Sequence, residues 1–366
     1  MRRFATLLCC VVLTACGSSE PPVLASSPAA PLSPAEPAPA GDSGLTAHRF
    51  ESESCPARDY YVYTPATVPA GPRPLVVYLH GCTQTAQQAI DGVRWNELAD
   101  REGILVAYPE QAVFSNSGAE IDGNGSRCWN WFLPLGQTRD SGEACAIAGI
   151  TREVMAANDI DPQRVYVAGI SAGGAMTSNM GATYPELYAA LGVIAGTSYT
   201  GADLTGQLAY QAMGARARRM PVLVFHGVTD TLDVFPLGFI AARQWLGTND
   251  LVDDGEANQS VPQTPATTES FAADENPGGE PRGGDLCVRN NNFPCPGGAL
   301  GYQYHYPYTV EHYLDGEGEP LLDFWQVQGL THNYAGGDPR DTFVDPLGPD
   351  TTEVVWQFFN AHPGRN

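Results

Sequence analysis

Apolar residues along this chain fall into short continuous runs separated by stretches of helical spacing. Residues 75–79 (LVVYL), 104–108 (ILVAY), 164–170 (RVYVAGI), 191–195 and 222–226 are such runs. Segments this short and this uniformly apolar predict strands buried on both faces. Residues 59–63 and 322–327 predict an early and a last strand. Residues 93–101, 143–158 and 172–184 carry helical patterns, and 352–361 predicts a closing helix with one apolar face. Strands that alternate with helices predict an α/β fold, a mostly parallel central sheet with helices on both faces. The rhythm breaks over 249–301, which is rich in Gly, Pro, Asn and Asp. That stretch reads as an irregular insertion, either a loop overhanging a site or a solvated surface segment. No internal repeat is present.

The chain before residue 46 is not globular in pattern. Arg2 and Arg3 precede an apolar run over 4–13, too short to span a bilayer as a helix. The run ends in Leu13-Thr14-Ala15-Cys16-Gly17, which resembles the lipobox of bacterial lipoproteins. On that reading 1–16 is a signal segment and Cys16 is lipidated after cleavage; an ordinary signal peptide is the alternative. Residues 17–45, rich in Pro, Ala and Ser, predict a flexible linker, with the globular domain over 46–366. The expected location is outside the cytoplasm, lipid-anchored at the bacterial envelope or surface, with no other membrane contact.

Charge narrows the partners. The formal net charge is −22, which repels nucleic-acid phosphates and does not favour anionic headgroups. All 19 basic residues are Arg, so lysine bases and Schiff-base chemistry are excluded. Export also sets the redox state. With Cys9, Cys10 and Cys16 assigned to the leader, Cys55, Cys82, Cys128, Cys145, Cys287 and Cys295 remain. An even number in an oxidising compartment predicts three disulfides, with Cys287–Cys295 the easiest local pair. Cys82 is expected to pair with Cys128, with Cys55 and Cys145 as alternatives. Asp253, Asp254 and Glu256 read as a solvated acidic loop rather than a calcium site. Neither a metal nor a cofactor is expected, and a monomer is.

The chemistry centres on Gly169-Ile170-Ser171-Ala172-Gly173, a G-x-S-x-G sequence between a predicted buried strand and a predicted helix. Such a turn exposes a serine hydroxyl beside a helix N-terminus, so Ser171 is the candidate nucleophile. A serine needs a neighbouring base, and in this arrangement the chain order is Ser, acid, His. His332 lies beyond the last predicted strand, and Asp230 follows the strand at 222–226, with Asp233 as its competitor. Two backbone N–H groups must hold a developing oxyanion. Ala172 and, in the loop His80-Gly81-Cys82-Thr83-Gln84, Cys82 are the expected donors, with Gln84 supporting the loop.

Leu79-His80-Gly81-Cys82-Thr83-Gln84, Arg127-Cys128-Trp129-Asn130-Trp131-Phe132 and Gly169-Ile170-Ser171-Ala172-Gly173-Gly174-Ala175-Met176 together resemble the secreted polyhydroxybutyrate depolymerase and feruloyl esterase family. The resemblance extends through Gly227–Asp230 and the His332 loop to Asp350. It implies an α/β-hydrolase fold and hydrolysis of carboxylic esters through an acyl-enzyme, with the triad on Ser171, Asp230 and His332. Trp129, Trp131 and Tyr334 are expected to line the substrate cleft. Polyester of the polyhydroxybutyrate type is the first substrate expectation. Feruloyl or acetyl esters on plant cell-wall polysaccharide are the alternative. A polymer-binding lipoprotein on a retired hydrolase fold, or a peptidase of the same fold, would be the readings outside this class.

Overall fold

The predicted apolar runs become the centre of a single sheet. Its strands are β1 (Leu45–Phe50), β2 (Arg58–Tyr63), β3 (Arg73–Leu79), β4 (Leu105–Pro109), β5 (Ile160–Ile170), β6 (Ala190–Ile194), β7 (Val222–Gly227), β8 (Thr267–Phe271), β9 (Tyr308–Leu314) and β10 (Pro320–Val327). The computed structural model describes residues 44–66, 70–113, 123–232, 236–273 and 306–364. The signal segment with Cys16, nearly all of the 17–45 linker, Asp233, Cys287 and Cys295 lie outside the described residues.

The ten strands of this sheet run in the order β1-β2-β4-β3-β5-β6-β7-β10-β9-β8. From β4 to β10 neighbouring strands are parallel. Antiparallel pairs flank this centre on both sides. Every residue of β3, β4, β6 and β7 is buried, as strands covered on both faces require. The edges differ: most of β1 and all but the last residue of β8 are exposed.

Helices α1 (Ala86–Gly92), α2 (Trp95–Glu102), α3 (Gly142–Ala157), α4 (Ala172–Thr183), α5 (Gln207–Met213), α6 (Pro236–Asp254) and α7 (Thr351–Ala361) cover the sheet. Side chains of β3 alternate between two cores. Leu75, Val77 and Leu79 pack with residues of α3, α4 and α6, while Val76 and Tyr78 pack with residues of α1, α2 and α7. This is the α/β-hydrolase architecture expected from the sequence.

Two elements depart from the expected pattern. The helix predicted over 93–101 is preceded by a separate one, α1, and Arg94 at φ +60° breaks the chain between them. A capping box starts α1: Thr85 Oγ1 accepts the Gln88 N–H at 3.1 Å, and Gln88 Oε1 accepts the Thr85 N–H at 2.9 Å. The second departure is a correction to the insertion. Its first residues belong to α6, and β8 also lies within it. The buried side of α6 carries polar residues, which hid its period. Asn249 exchanges two hydrogen bonds with the Met220 backbone, and Asp250 accepts from Gln259, Ser260 and Val261.

A disulfide between Cys55 and Cys145, with Cα atoms 5.5 Å apart, ties the approach to β2 onto α3. Beside it lies a fully buried ion pair, Arg58–Glu143, at 3.5 Å. Burial raises the Glu143 carboxyl above its ordinary value, opposed by bonds from Gln111 and Asn130 and by the Arg58 charge. Removing one partner of such a pair strands the other charge in the core. Glu143→Ala should therefore cost about 3–5 kcal/mol in urea unfolding. Asp59→Ala, which breaks an exposed pair with Arg49 at 2.7 Å, should cost less than about 1 kcal/mol. Equal losses in the two variants would show that Glu143 is not a core hub.

Candidate active site

Strands β3, β5, β7 and β10 run parallel, so the loops after them share one edge of the sheet. In open α/β sheets that edge is where ligands bind. It is also where the sequence placed its candidate residues.

Ser171 is the single residue between β5 and α4, held at φ +58°, ψ −123°. A non-glycine residue in this region costs on the order of 1–3 kcal/mol and persists only where its surroundings enforce it. Here the Ser171 N–H donates to Ile194 O at 2.9 Å, and β3 presses from the other side. A Cβ on Gly173 would stand 2.1 Å from Leu79 O, and one on Gly169 would stand 2.6 Å from the same oxygen. The two glycines of the motif are thus required by the closeness of β3. Ala172 opens α4, where the first N–H groups have no carbonyl partner within the helix.

The loop after β3 lies against this turn, since a Cβ on Gly81 would come 3.3 Å from Ser171 Cβ. Cys82 is bonded to Cys128, the pairing placed first from the sequence, with Cα atoms 4.1 Å apart. Gln84 Oε1 accepts the Gly81 N–H at 2.9 Å, and Thr83 N–H donates to Ser126 O at 2.6 Å. Among the described residues the Cys82 N–H has no acceptor.

Beneath the loop, His80 is fully buried. The Gln111 N–H donates to its Nε2 at 3.1 Å, and its Nδ1 lies 2.8 Å from Gly81 O. Burial pulls the ring down to about 4, opposed by the bond to Gly81 O and aided by the Arg127 charge. Trp129 is also fully buried and donates from Nε1 to His80 O at 3.0 Å.

On the far side of the sheet edge, Asp230 and His332 meet. Asp230 Oδ2 lies 2.8 Å from His332 Nδ1; the carboxylate is wholly buried and the imidazole keeps 11% exposure. A carboxylate only accepts, so Nδ1 carries the proton and Nε2 is left as the acceptor. The other oxygen, Oδ1, accepts the Leu232 N–H at 2.9 Å. Thr229 Oγ1 donates to Leu330 O at 2.7 Å, joining the two loops. His226 Nε2, buried at the end of β7, stands 3.7 Å from the same Asp230 oxygen that meets His332. Asp233, the competitor, is outside the described residues.

The expected cleft lining needs correction. Trp129 is 0% and Tyr334 1% exposed, so neither offers a face to a ligand. Trp129 props the His80 backbone, and the Tyr334 hydroxyl is held by Thr352 at 2.6 Å. Trp131 keeps partial exposure and meets Phe132 edge-on at 5.6 Å, with Phe132 50% exposed. Phe132 stands next to Trp131 in the Cys-Trp-Asn-Trp-Phe segment, so its sequence position was the available signal. His80, Gln111 and Glu143 carried none, because the contacts among them join residues 31 and 32 positions apart.

Residues 58–238 match the family model described as Esterase PHB depolymerase. Feruloyl esterase B of Neurospora crassa is 30% identical over 214 residues, which cover 50% of this chain and 68% of that protein. The chain belongs to this family. Within the PHB depolymerase-type esterases, poly(3-hydroxyalkanoate) depolymerase C of Paucimonas lemoignei is 42% identical over 139 residues. That match covers 38% of this chain and 31% of the relative, so the chain spans about a third of the relative's length. The solved acetyl xylan esterase from Aspergillus awamori has a TM-score of 0.58 at 19% identity, covering 86% of this chain and 99% of that one. That likeness is one of fold.

The displaced titration of His80 has a measurable consequence. Its ordinary value is 6.5 and its folded value about 4, so within that window the unfolded chain binds a proton that the folded protein excludes. Stability present above pH 6.5 should fall as the pH drops toward 4, by about 3 kcal/mol from this group. Burial lowers His362 as well, which adds in the same direction. Urea midpoints measured across the window should show the fall, and His80→Gln should flatten it. An unchanged pH slope in that variant would mean the ring is not held neutral.

Proposed function

We propose that this protein is a serine esterase that cleaves carboxylic esters through an acyl-enzyme. The observation that carries the reading is the buried Asp230 carboxylate on His332 Nδ1, at the sheet edge where Ser171 is held in a strained turn. Asp230 fixes the tautomer, so His332 Nε2 takes the proton as Ser171 Oγ attacks the ester carbonyl. The Cys82 and Ala172 N–H groups receive the negative charge that forms on the carbonyl oxygen. His332 returns the proton to the leaving alcohol. Water, deprotonated by the same imidazole, then releases the acid and restores Ser171.

The favoured substrate is a polyester of the poly(3-hydroxyalkanoate) type, supported by the 42% identity to a depolymerase of that class. The feruloyl esterase match, which covers more of both chains, supports feruloyl or acetyl esters on plant cell-wall polysaccharide as the second reading. We assign the apolar contact with either substrate to Trp131 and Phe132, on the strength of their exposure and edge-on pairing. Hydrolysis of polyester film, methyl ferulate and acetylated xylan by the purified protein separates the two. On any active substrate Ser171→Ala should lose several orders of magnitude in kcat, and Asp230→Asn about 10⁴-fold. A larger loss in Asp233→Asn than in Asp230→Asn would move the acid to Asp233.

Export and anchoring through Cys16 complete the proposal, supported by the lipobox-like Leu13–Gly17 sequence. The wild-type chain should sediment with membranes and Cys16→Ser should not. A wild-type chain found wholly in the soluble fraction would overturn the anchor.

A further inference from the structure

We propose that His80 is a positioning residue that aims the Cys82 N–H at the reacting carbonyl by gripping the other end of the same peptide unit. The inference rests on the esterase reading of the site, and it concerns residues that touch no substrate.

Gly81 O and the Cys82 N–H belong to one peptide plane. In a trans peptide the carbonyl and the N–H point in opposite directions, and the plane turns as a unit. Whatever fixes the carbonyl therefore fixes the N–H. Gly81 O is held by His80 Nδ1 at 2.8 Å from the buried side of the loop, which leaves the Cys82 N–H directed away from the core. Glycine at 81 adds little preference of its own to this peptide, and the turn through Thr83 (φ +65°) is closed only by a long bond from the Gln84 N–H to Gly81 O. The flanking anchors hold other atoms or hold this carbonyl less closely: Gln84 Oε1 takes the Gly81 N–H, the disulfide takes the Cys82 side chain, and the Gln84 N–H reaches Gly81 O only at 3.4 Å. The His80 contact, at 2.8 Å, is the shorter of the two on that oxygen.

The grip needs one tautomer. A carbonyl only accepts, so Nδ1 must carry the proton. The Gln111 N–H only donates, so Nε2 must be bare. Gln111 thereby selects the tautomer that can hold Gly81 O. Gln111 is fixed in turn, because its Nε2 donates to Glu143 Oε1 at 2.5 Å and to Cys128 O at 2.8 Å. Glu143 also takes the Asn130 N–H at 2.6 Å and Asn130 Nδ2 at 2.8 Å. A relay of buried contacts thus runs from the first turn of α3 through Gln111 and His80 to the peptide that carries the oxyanion donor. Hydrogen bonding at the carbonyl also polarises the amide and strengthens its N–H as a donor.

Two substitutions at His80 test the idea. The Asn amide places a donor where Nδ1 stands, whereas the Gln amide reaches only to the place of Nε2. With p-nitrophenyl acetate as substrate, His80→Gln should lose about 10–100-fold in kcat with KM within about twofold of wild type, and His80→Asn should recover most of that loss. The affinity for phenylboronic acid, which presents a tetrahedral oxygen to the same donors, should weaken in parallel with kcat. Equal activity in the two variants, or a loss confined to KM, would overturn the proposal. Should either variant fail to fold, wild-type protein with 15N-labelled histidine decides by NMR. A neutral Nδ1–H ring at His80 at pH 7 is expected, and an Nε2–H ring refutes the grip. Failure of the underlying reading is distinguishable: it would appear as undiminished hydrolysis by Ser171→Ala.

Discussion

The close crossing of β3 over the junction of β5 and α4 governs much of what surrounds it. The carbonyl of Leu79 passes so near this junction that a Cβ at Gly173 would sit 2.1 Å from it. Only glycine fits, and that closeness holds Ser171 in a backbone region L-residues avoid. The same crossing brings the loop after β3 against the serine, with Gly81 reaching its Cβ. The Ser171 turn and the 80–84 loop are therefore two consequences of one packing contact. A side chain at either motif glycine would displace both together.

Asp230 and His332 come from a different part of the chain but depend on the same sheet. Parallel pairing of β7 with β10 sets Gly227 beside the 330–331 backbone, so closely that a Cβ on Gly227 would stand 2.3 Å from Leu330 O. Thr229 then fastens the loops. The 2.8 Å contact between Asp230 and His332 is thus inherited from strand register rather than from loop conformation alone. Sites built on regular elements in this way are held more closely than sites built on free loops.

Much of this was legible in the sequence because it is local or ordinal. Buried parallel strands appear as continuous apolar runs, so β3 to β7 could be read directly; β10, with Asp323 and Gln326 in it, was read as the last strand. The strained turn at Ser171 and the meeting of Asp230 with His332 followed from the G-x-S-x-G sequence and the order of loops after strands. The side on which an aromatic residue lies was not legible. Trp129 and Trp131 are two positions apart in one segment, yet Trp129 is wholly buried beneath the loop and Trp131 is only half-buried. Helix α6 was obscured because the groups it buries are polar and satisfied by distant backbone, as Asn249 is by Met220. The relay through Glu143, Gln111 and His80 was hidden for the same reason. Buried polar groups take partners by tertiary placement, which neither composition nor periodicity encodes.

The two borders of the sheet carry a further consequence. An open sheet ends in unpaired backbone donors and acceptors, a template on which another chain can stack. Among the described residues the outermost strands are the two that present mainly exposed side chains, His48 and Arg49 among them on β1, and Thr267, Thr268, Glu269 and Ser270 on β8. The wholly buried strands, whose sequences favour β-aggregation most, are kept to the interior. Any chain with such strands is exposed to self-association before its core closes. Hydrophilic borders on an otherwise strongly apolar sheet favour a soluble product over a fibrous one.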